Sequence, residues 1–250
     1  MDKIFGRTKG LTEVPFHYCP GCTHGIIHRL IGEVLEELDI IEDTIGVAPV
    51  GCSGFMLDLL SCDMVGGAHG RAQAVATGIK RALPDRMVFT YQGDGDIAAI
   101  GMAHAIHTAA RGEKITSIMV NNAVFGMTGG QMAPTTLTGQ VTTTSPYGRD
   151  NLFAGPPIDL PKTIATLEGA VYVAAGSVDS PKNIIEAKKM IKKAFQVQQK
   201  GLGFSFVSIL STCPSNWRMS PVDSLTWLRE NMMPAYQMGE IKVTEEVKAL

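Results

Sequence analysis

The stretch from Val88 to Gly130 limits what this chain can fold into more than any other part of it. Met87 to Gln92 is a short run of apolar, β-branched and aromatic residues, which predicts a buried strand. Gly93-Asp94-Gly95-Asp96 follows, and its glycines let the chain turn sharply beside a bulky ligand where a Cβ would collide. Ile97 to Arg111 is dense in alanine, with Ile97, Ile100 and Ile106 at helical spacing, so a helix is expected to start just after Asp96. Ile115 to Val120 is a second buried strand, and Asn121-Asn122 ends it. Asp94 thus sits at the end of one strand and Asn122 at the end of the next. A parallel α/β sheet sets such ends side by side at its carboxyl edge, where these folds hold their ligands. A carboxylate, an amide oxygen and nearby backbone carbonyls form a hard-oxygen set suited to Mg²⁺ that also holds phosphate oxygens. The N-terminus of the new helix would stabilise the phosphate charge.

The remaining apolar runs extend the same alternation. Ile26–Leu38, Ala72–Leu83, a short Pro161–Leu167 and Pro181–Gln199 read as helices; Thr44–Val50, Ala170–Ala174 and Gly203–Leu210 read as strands. The expected fold is α/β, a mostly parallel sheet with helices on both faces. The 250 residues fit a single domain, with 215–250 as a charged tail packed on a partner. Charged residues make up 18% and apolar residues 45%, a balance that suits a chain burying a large interface as well as a core. The net charge of −2 comes with no basic run, which argues against nucleic acid and anionic membrane surfaces as partners. Met1 to Gly10 lacks an apolar signal core and no stretch is long enough to span a bilayer, so a cytoplasmic chain is expected.

Five cysteines in such a chain point to metal or redox chemistry rather than disulfides. Cys19 and Cys22 form a Cys-x-x-Cys pair on a turn leading into a helix. By itself the pair fits a redox dithiol, half a Zn²⁺ site or half an iron–sulfur site. Cys52 lies in a glycine-rich turn at a strand end and Cys213 follows another strand. Four such thiolates converging at one sheet edge suit Zn²⁺ or [4Fe–4S] equally by count. Cys62 reads as a small buried hydrophobe.

Gly-Asp-Gly followed about two dozen residues later by Asn-Asn resembles the diphosphate-binding motif of thiamine diphosphate enzymes. The resemblance gives Asp94 and Asn122 the side-chain Mg²⁺ positions and the carbonyl of Val124 the backbone one. Further motifs occur in one order: Tyr18-Cys19-Pro20-Gly21-Cys22, Gly51-Cys52-Ser53, His69-Gly70-Arg71 and Asn121-Asn122 followed by Gly126-Met127-Thr128-Gly129-Gly130-Gln131. From about Tyr18 to Pro214 they look like the β subunit of 2-oxoacid:ferredoxin oxidoreductases. That resemblance implies a thiamine-diphosphate-binding fold and a [4Fe–4S] cluster on Cys19, Cys22, Cys52 and Cys213. It also marks Val50, Gly51, Ser53, His69, Gly93, Gly95, Asp96, Gly126 and Met127 as cofactor contacts. The implied reaction is oxidative decarboxylation of a 2-oxoacid to acyl-coenzyme A and CO₂, with electrons leaving through the cluster to ferredoxin. Family members draw the acid that activates the pyrimidine from another subunit. An α/γ partner carrying the pyrimidine domain and a ferredoxin or ferredoxin-like δ subunit are therefore implied, and the chain alone should be inactive.

The position three after Cys52 is basic in some family members and meets the substrate; here Phe55 stands there, followed by Met56 and Leu57. That departure weighs against 2-oxoglutarate and favours an apolar 2-oxoacid, branched or aromatic. Ala123 to Pro157, rich in Gly, Thr and Pro, is a long loop whose beginning, Phe125 to Gln131, adjoins the Mg²⁺ site and whose Thr135 to Ser145 is expected over the cofactor or against a partner. His104 and His107 read as packed or interface histidines, and Lys188, Lys189, Lys192 and Lys193 as a solvated face. Two rival classes stay open: a non-redox thiamine decarboxylase or synthase subunit with incidental cysteines, and a zinc-stapled binding protein.

Overall fold

The computed structural model describes residues 6–250. Residues 1–5 of the N-terminal stretch that lacks a signal core lie outside the described residues.

Among the described residues nine strands form: β1 (Thr44–Pro49), β2 (Asp63–Gly67), β3 (Met87–Gly93), β4 (Thr116–Asn121), β5 (Val124–Phe125), β6 (Gln131–Met132), β7 (Ala170–Ser177), β8 (Phe204–Leu210) and β9 (Gly239–Val243). Seven of them make one sheet in the order β2-β1-β3-β4-β8-β7-β9, and β5 and β6 make a separate antiparallel hairpin. Every pairing in the large sheet is parallel except that of β7 with β9. The helices are α1 (His24–Glu37), α2 (Met56–Leu59), α3 (Ala72–Ala82), α4 (Met102–Ala110), α5 (Asn151–Ala154), α6 (Leu160–Ala165), α7 (Pro181–Gln199), α8 (Pro214–Trp217), α9 (Pro221–Trp227), α10 (Met233–Ala235) and α11 (Glu245–Lys248).

The central strands β1, β4 and β8 are buried along their full length, and β3 along all but Gly93, as parallel strands covered on both faces must be. Their side chains alternate between two apolar layers. Phe89, Tyr91, Ile118 and Val207 join residues of α1 and α7 on one side. Val88, Met119, Val173 and Phe206 join α3, α4 and α6 on the other. Helices thus cover both faces of the sheet.

Two strands of the large sheet were not legible in advance, nor was the β5–β6 hairpin inside the stretch expected to be a loop. β2 is half exposed along its length and ends in two glycines, so it carries no apolar run. β9 alternates charged and apolar residues on the sheet edge and reads in sequence as a charged tail. That tail packs on its own chain: β9 pairs with β7, while Trp217, Leu228, Met232 and Tyr236 form a third apolar cluster with Val124, Leu137 and Leu210. The helix expected straight after Asp96 is also interrupted. A wide turn over Asp96–Ile100 contains Ala99 at φ −104° and ψ −106°, and the regular helix α4 starts only at Met102. Among the described residues no helix is long and apolar enough to cross a membrane.

The strand order has one consequence for chemistry. β1, β3, β4 and β8 lie next to one another, and all four end at the same edge. Within three residues of those ends come Cys52, Asp94, Asn122 and Cys213.

Candidate functional site

Asp94 leaves the end of β3 fully buried, at 1% exposure. Its carboxylate accepts the Thr135 hydroxyl and the backbone N–H groups of Gly95 and Asn122. Burial raises its pKa to about 6, more than these hydrogen bonds lower it. A carboxylate held in this way, with no Lys or Arg ion pair among the described residues, is a fitting ligand for a divalent cation.

Beyond β4 the two asparagines shape a turn with their own side chains. Asn121 Oδ1 accepts from Ala123 N–H at 3.1 Å and Asn122 Oδ1 from Val124 N–H at 3.2 Å. The turn places Ala123 at φ 58°, a conformation that costs a residue with a Cβ about 1–2 kcal/mol. The Thr136 hydroxyl donates to Ala123 O at 2.6 Å and Trp217 Nε1 to Asn122 O at 3.1 Å, which helps hold it. Asp94, Asn122 and Val124 all line one cavity of about 310 Å³. The other expected contacts, Val50, Gly51, Ser53, His69, Gly93, Gly95, Asp96, Gly126 and Met127, line it as well. At Gly95 a Cβ would lie 2.5 Å from the Phe125 ring, so the floor of the cavity admits only glycine there.

Asp96 points its carboxylate at its own chain. Oδ1 accepts from Gly70 N–H at 2.6 Å and lies 2.8 Å from His69 Nδ1; Oδ2 accepts from Gln92 Nε2 at 2.6 Å. Gln92 is in turn reached by Gln73 of α3 at 2.9 Å. Asp96 therefore fixes the His69-Gly70 turn at the cavity rim.

A second cavity of about 340 Å³ adjoins the first and is lined by Cys19, Cys22, Cys52 and Cys213. The two share His24, Cys52, Asn122, Gly126 and Met127. Hydrogen bonds explain how Cys213, so distant in sequence, reaches the N-terminal pair. The Thr212 hydroxyl donates to Gly21 O at 2.6 Å, Thr212 N–H donates to the Thr23 hydroxyl at 3.2 Å, and that hydroxyl pairs with Ser211 at 2.8 Å. The Tyr18 hydroxyl donates to Cys52 O at 3.0 Å and ties the same turn to β1's end. Asn216 Nδ2 donates to Gly126 O at 2.7 Å and to Cys213 Sγ at 3.3 Å.

Burial, then the neighbouring sulfurs, push the Cys22 thiol up to about 12 and Cys52 to about 11. Thiolates would persist in such company only around a cationic centre. A Cβ on Gly126 would stand 3.4 Å from Cys52 Sγ and 3.7 Å from Cys213 Sγ, so the bare glycine keeps this space open. Among the described residues no three His, Cys, Asp or Glu side chains are gathered as ligands of a single ion. All four thiols line this one cavity.

Several residues at this site had no sequence signal of their own. Thr135 and Asn216 arrive through tertiary contacts. His24, two residues past Cys22, is 2% exposed on the wall shared by the cavities, and burial lowers its pKa to about 3. Its Nδ1 lies 2.6 Å from the Tyr91 hydroxyl and its ring stacks on Tyr18 with centroids 4.8 Å apart. Phe55 packs edge-on against Tyr18 and lines the thiol cavity rather than the Asp94 cavity. Cys62 is buried in the apolar layer under α1, with Met64 Sδ 3.7 Å away. His104 and His107 line a separate cleft between α3 and α4. The α7 lysines are ion-paired: Lys188 with Glu33 and Glu37, Lys192 with Glu37, Lys189 with Glu186 and Lys193 with Glu240.

The thiamine pyrophosphate enzyme C-terminal TPP binding domain matches residues 50–209. The chain is 47% identical over 232 residues to ketoisovalerate oxidoreductase subunit VorA of Methanothermobacter thermautotrophicus, covering 93% of this chain and 49% of that protein. It is 41% identical over 226 residues to 2-oxoglutarate synthase subunit KorB of Methanocaldococcus jannaschii, covering 88% of this chain and 79% of that one. Among solved structures, 2-oxoglutarate:ferredoxin oxidoreductase from Magnetococcus marinus, with 2-oxoglutarate, coenzyme A and succinyl-CoA bound, superposes with a TM-score of 0.74 at 30% identity. That match covers 88% of this chain and 71% of the other. The chain spans about half the length of the ketoisovalerate relatives it matches.

Proposed function

The chain belongs to the 2-oxoacid:ferredoxin oxidoreductase subunits and has their thiamine pyrophosphate-binding domain, and from that premise we propose that it holds thiamine diphosphate, Mg²⁺ and a [4Fe–4S] cluster in the oxidative decarboxylation of a 2-oxoacid. One observation carries the proposal. A buried, uncompensated carboxylate and a ring of four thiols open on to adjoining cavities with a common wall. When bound, thiamine diphosphate supplies the carbanion and electron sink for decarboxylation, and an iron–sulfur cluster accepts electrons one at a time.

Within this reading Asp94, the Asn122 side chain and the Val124 carbonyl hold Mg²⁺. Gly93 and Gly95 let the diphosphate approach the backbone, and His69, oriented by Asp96, meets it at the rim. Gly126 and Met127 would touch the diphosphate, and Val50, Gly51 and Ser53 would be further contacts of the cofactor. Cys19, Cys22, Cys52 and Cys213 hold the cluster. Coenzyme A is the acyl acceptor, an α/γ subunit brings the pyrimidine domain, and a ferredoxin or δ-type subunit removes electrons. We place the complex in the cytoplasm. Residues 1–250 act as one thiamine and iron–sulfur unit, with the exposed part of 215–250 turned to a partner.

The substrate is a 2-oxoacid with an apolar side chain. No Lys or Arg lines the Asp94 cavity, so this chain offers no cation to a second carboxylate. Sequence identity is also higher to the ketoisovalerate relative than to the 2-oxoglutarate one. A panel of 2-oxoacids with a dye acceptor, run on the assembled complex, decides between branched-chain substrates and 2-oxoglutarate. The cofactor reading is tested by iron, sulfide and thiamine analysis of the anaerobically purified complex. Asp94→Ala should keep iron and sulfide while Mg²⁺-dependent thiamine diphosphate affinity falls by more than about a hundredfold. Unchanged retention would remove the anchor. A complex with thiamine but no iron would favour the non-redox alternative, and zinc in place of iron the binding-protein one.

A further inference from the structure

His24 is a polar side chain buried beyond nine-tenths whose second nitrogen is given no partner by the chain. Nδ1 is engaged by the Tyr91 hydroxyl at 2.6 Å, and Tyr18 stacks on the imidazole with 6° between the ring planes. Position and tilt are therefore both fixed. Nε2 makes no hydrogen bond within the chain, and the residue lines both the Asp94 cavity and the thiol cavity.

The proton on Nε2 follows from its neighbour. Tyr91 is completely buried, and His24 Nδ1 is the hydrogen-bond partner of its hydroxyl. If Nδ1 carried the proton and donated it, the phenol O–H would be left buried and unpaired, which is costly. The hydroxyl therefore donates to Nδ1, and the neutral ring carries its proton on Nε2. An imidazolium would carry a proton there too, so Nε2 is a donor in either charge state.

We propose that His24 sets the potential of the iron–sulfur centre by donating its Nε2–H to a sulfur of the group held by Cys19, Cys22, Cys52 and Cys213. The proposal rests on the reading of those four cysteines given above. Each electron that arrives raises the negative charge on the sulfurs, so a fixed donor stabilises the reduced form more than the oxidised one. Tyr91, which holds the ring in the donating tautomer, acts through His24 as a positioning residue.

The test uses the complex purified anaerobically with its partner subunits, and its readouts are redox titration followed by EPR and metal analysis. His24→Phe is expected to retain iron and sulfide but to be at least tenfold less reduced at a given potential, a downward shift of about 59 mV for a one-electron couple. His24→Gln, whose amide N–H reaches a similar depth, should recover part of the shift. With histidine labelled with ¹⁵N in the imidazole ring alone, because the His24 backbone N–H already donates to Cys22 Sγ, the reduced wild-type cluster should show a weak ¹⁵N coupling by pulsed EPR. That coupling should survive His17→Ala, the other histidine lining the thiol cavity. It needs no His24 variant, so it decides the matter even if His24→Phe fails to assemble. A fully loaded His24→Phe protein with unchanged potential, or a loaded wild type with no coupling, overturns the proposal alone. A wild-type complex without iron and sulfide overturns the cysteine reading and this proposal with it.

Discussion

A side chain at Gly126 would extend between the Cys52 and Cys213 sulfurs, since its first carbon already stands 3.4 and 3.7 Å from them. The Gly126 backbone lies outside the left-handed region, so a larger residue meets no strain from φ. Gly126→Val should therefore fold and lose the cluster. Iron and sulfide per chain are expected to fall by more than half, with the melting temperature of the metal-free chain shifted only slightly. Full iron content in a folded Gly126→Val protein would mean that the cluster lies elsewhere. At this scale the sequence was legible where chemistry and chain order coincide. Asp94 and Asn122 each end a strand, so a contiguous motif announced them. Cys213 follows a strand, which suggested the same sheet edge as the other thiols, but choosing iron–sulfur over zinc for the four needed the family resemblance. Asn216 and His24 were invisible, and Thr135 was expected only as part of a loop over the cofactor, for a physical reason: each meets the site through a contact made only after the sheet has formed.

Among the elements, the buried parallel strands and long helices were legible because each is an unbroken apolar run or an apolar stripe. The edge strands β2 and β9 were not, since half-exposed strands carry no such run. The long loop was recognised as a loop, but its order was hidden in one residue. Arg149 is 5% exposed, and its guanidinium donates to the carbonyls of Ala133, Pro134, Thr136, Ala154, Gly155 and Pro156. These carbonyls lie on both limbs of the loop, so a single planar fork staples them together. The stapled limb carries Thr135, whose hydroxyl reaches Asp94 and whose carbonyl accepts from the Tyr236 hydroxyl. Lysine has one ammonium and cannot reproduce the fork. Arg149→Lys is expected to loosen the loop by roughly 2–4 kcal/mol while leaving the sheet intact. Faster hydrogen exchange should be confined to about residues 133–157, with thiamine diphosphate affinity lowered about tenfold or more. Unchanged exchange in that segment would show that its order comes from elsewhere.

For the whole molecule, the stapled loop raises a question of company. Directly after Arg149 in the chain, α5 presents Leu152 at 98% and Phe153 at 92% exposure, and Tyr147, two residues before Arg149, is fully exposed as well. Apolar side chains held outward on an ordered turn mark an interaction surface when they cluster. The other limb of the same loop, joined to this one by Arg149, carries Thr135 to Asp94, so a subunit docked here would contact the loop that covers the cofactor cavity. That is the arrangement a two-subunit thiamine site requires, because the proposed partner must bring its pyrimidine-binding groups to the ring of the same molecule. Leu152→Asp with Phe153→Asp should therefore separate assembly from folding. Both side chains are solvent-exposed in the isolated chain, so its melting temperature should stay within about 2 °C. Association with the partner should weaken by at least tenfold, as burying two uncompensated carboxylates at a contact costs well over 1.4 kcal/mol. Size-exclusion chromatography with light scattering on co-expressed subunits reads the complex directly, and thiamine content should fall along with it. If assembly persists, the partner approaches by another face, and the thiamine ring must then be reached from the exposed Val50 and Met127 side of the cavity instead.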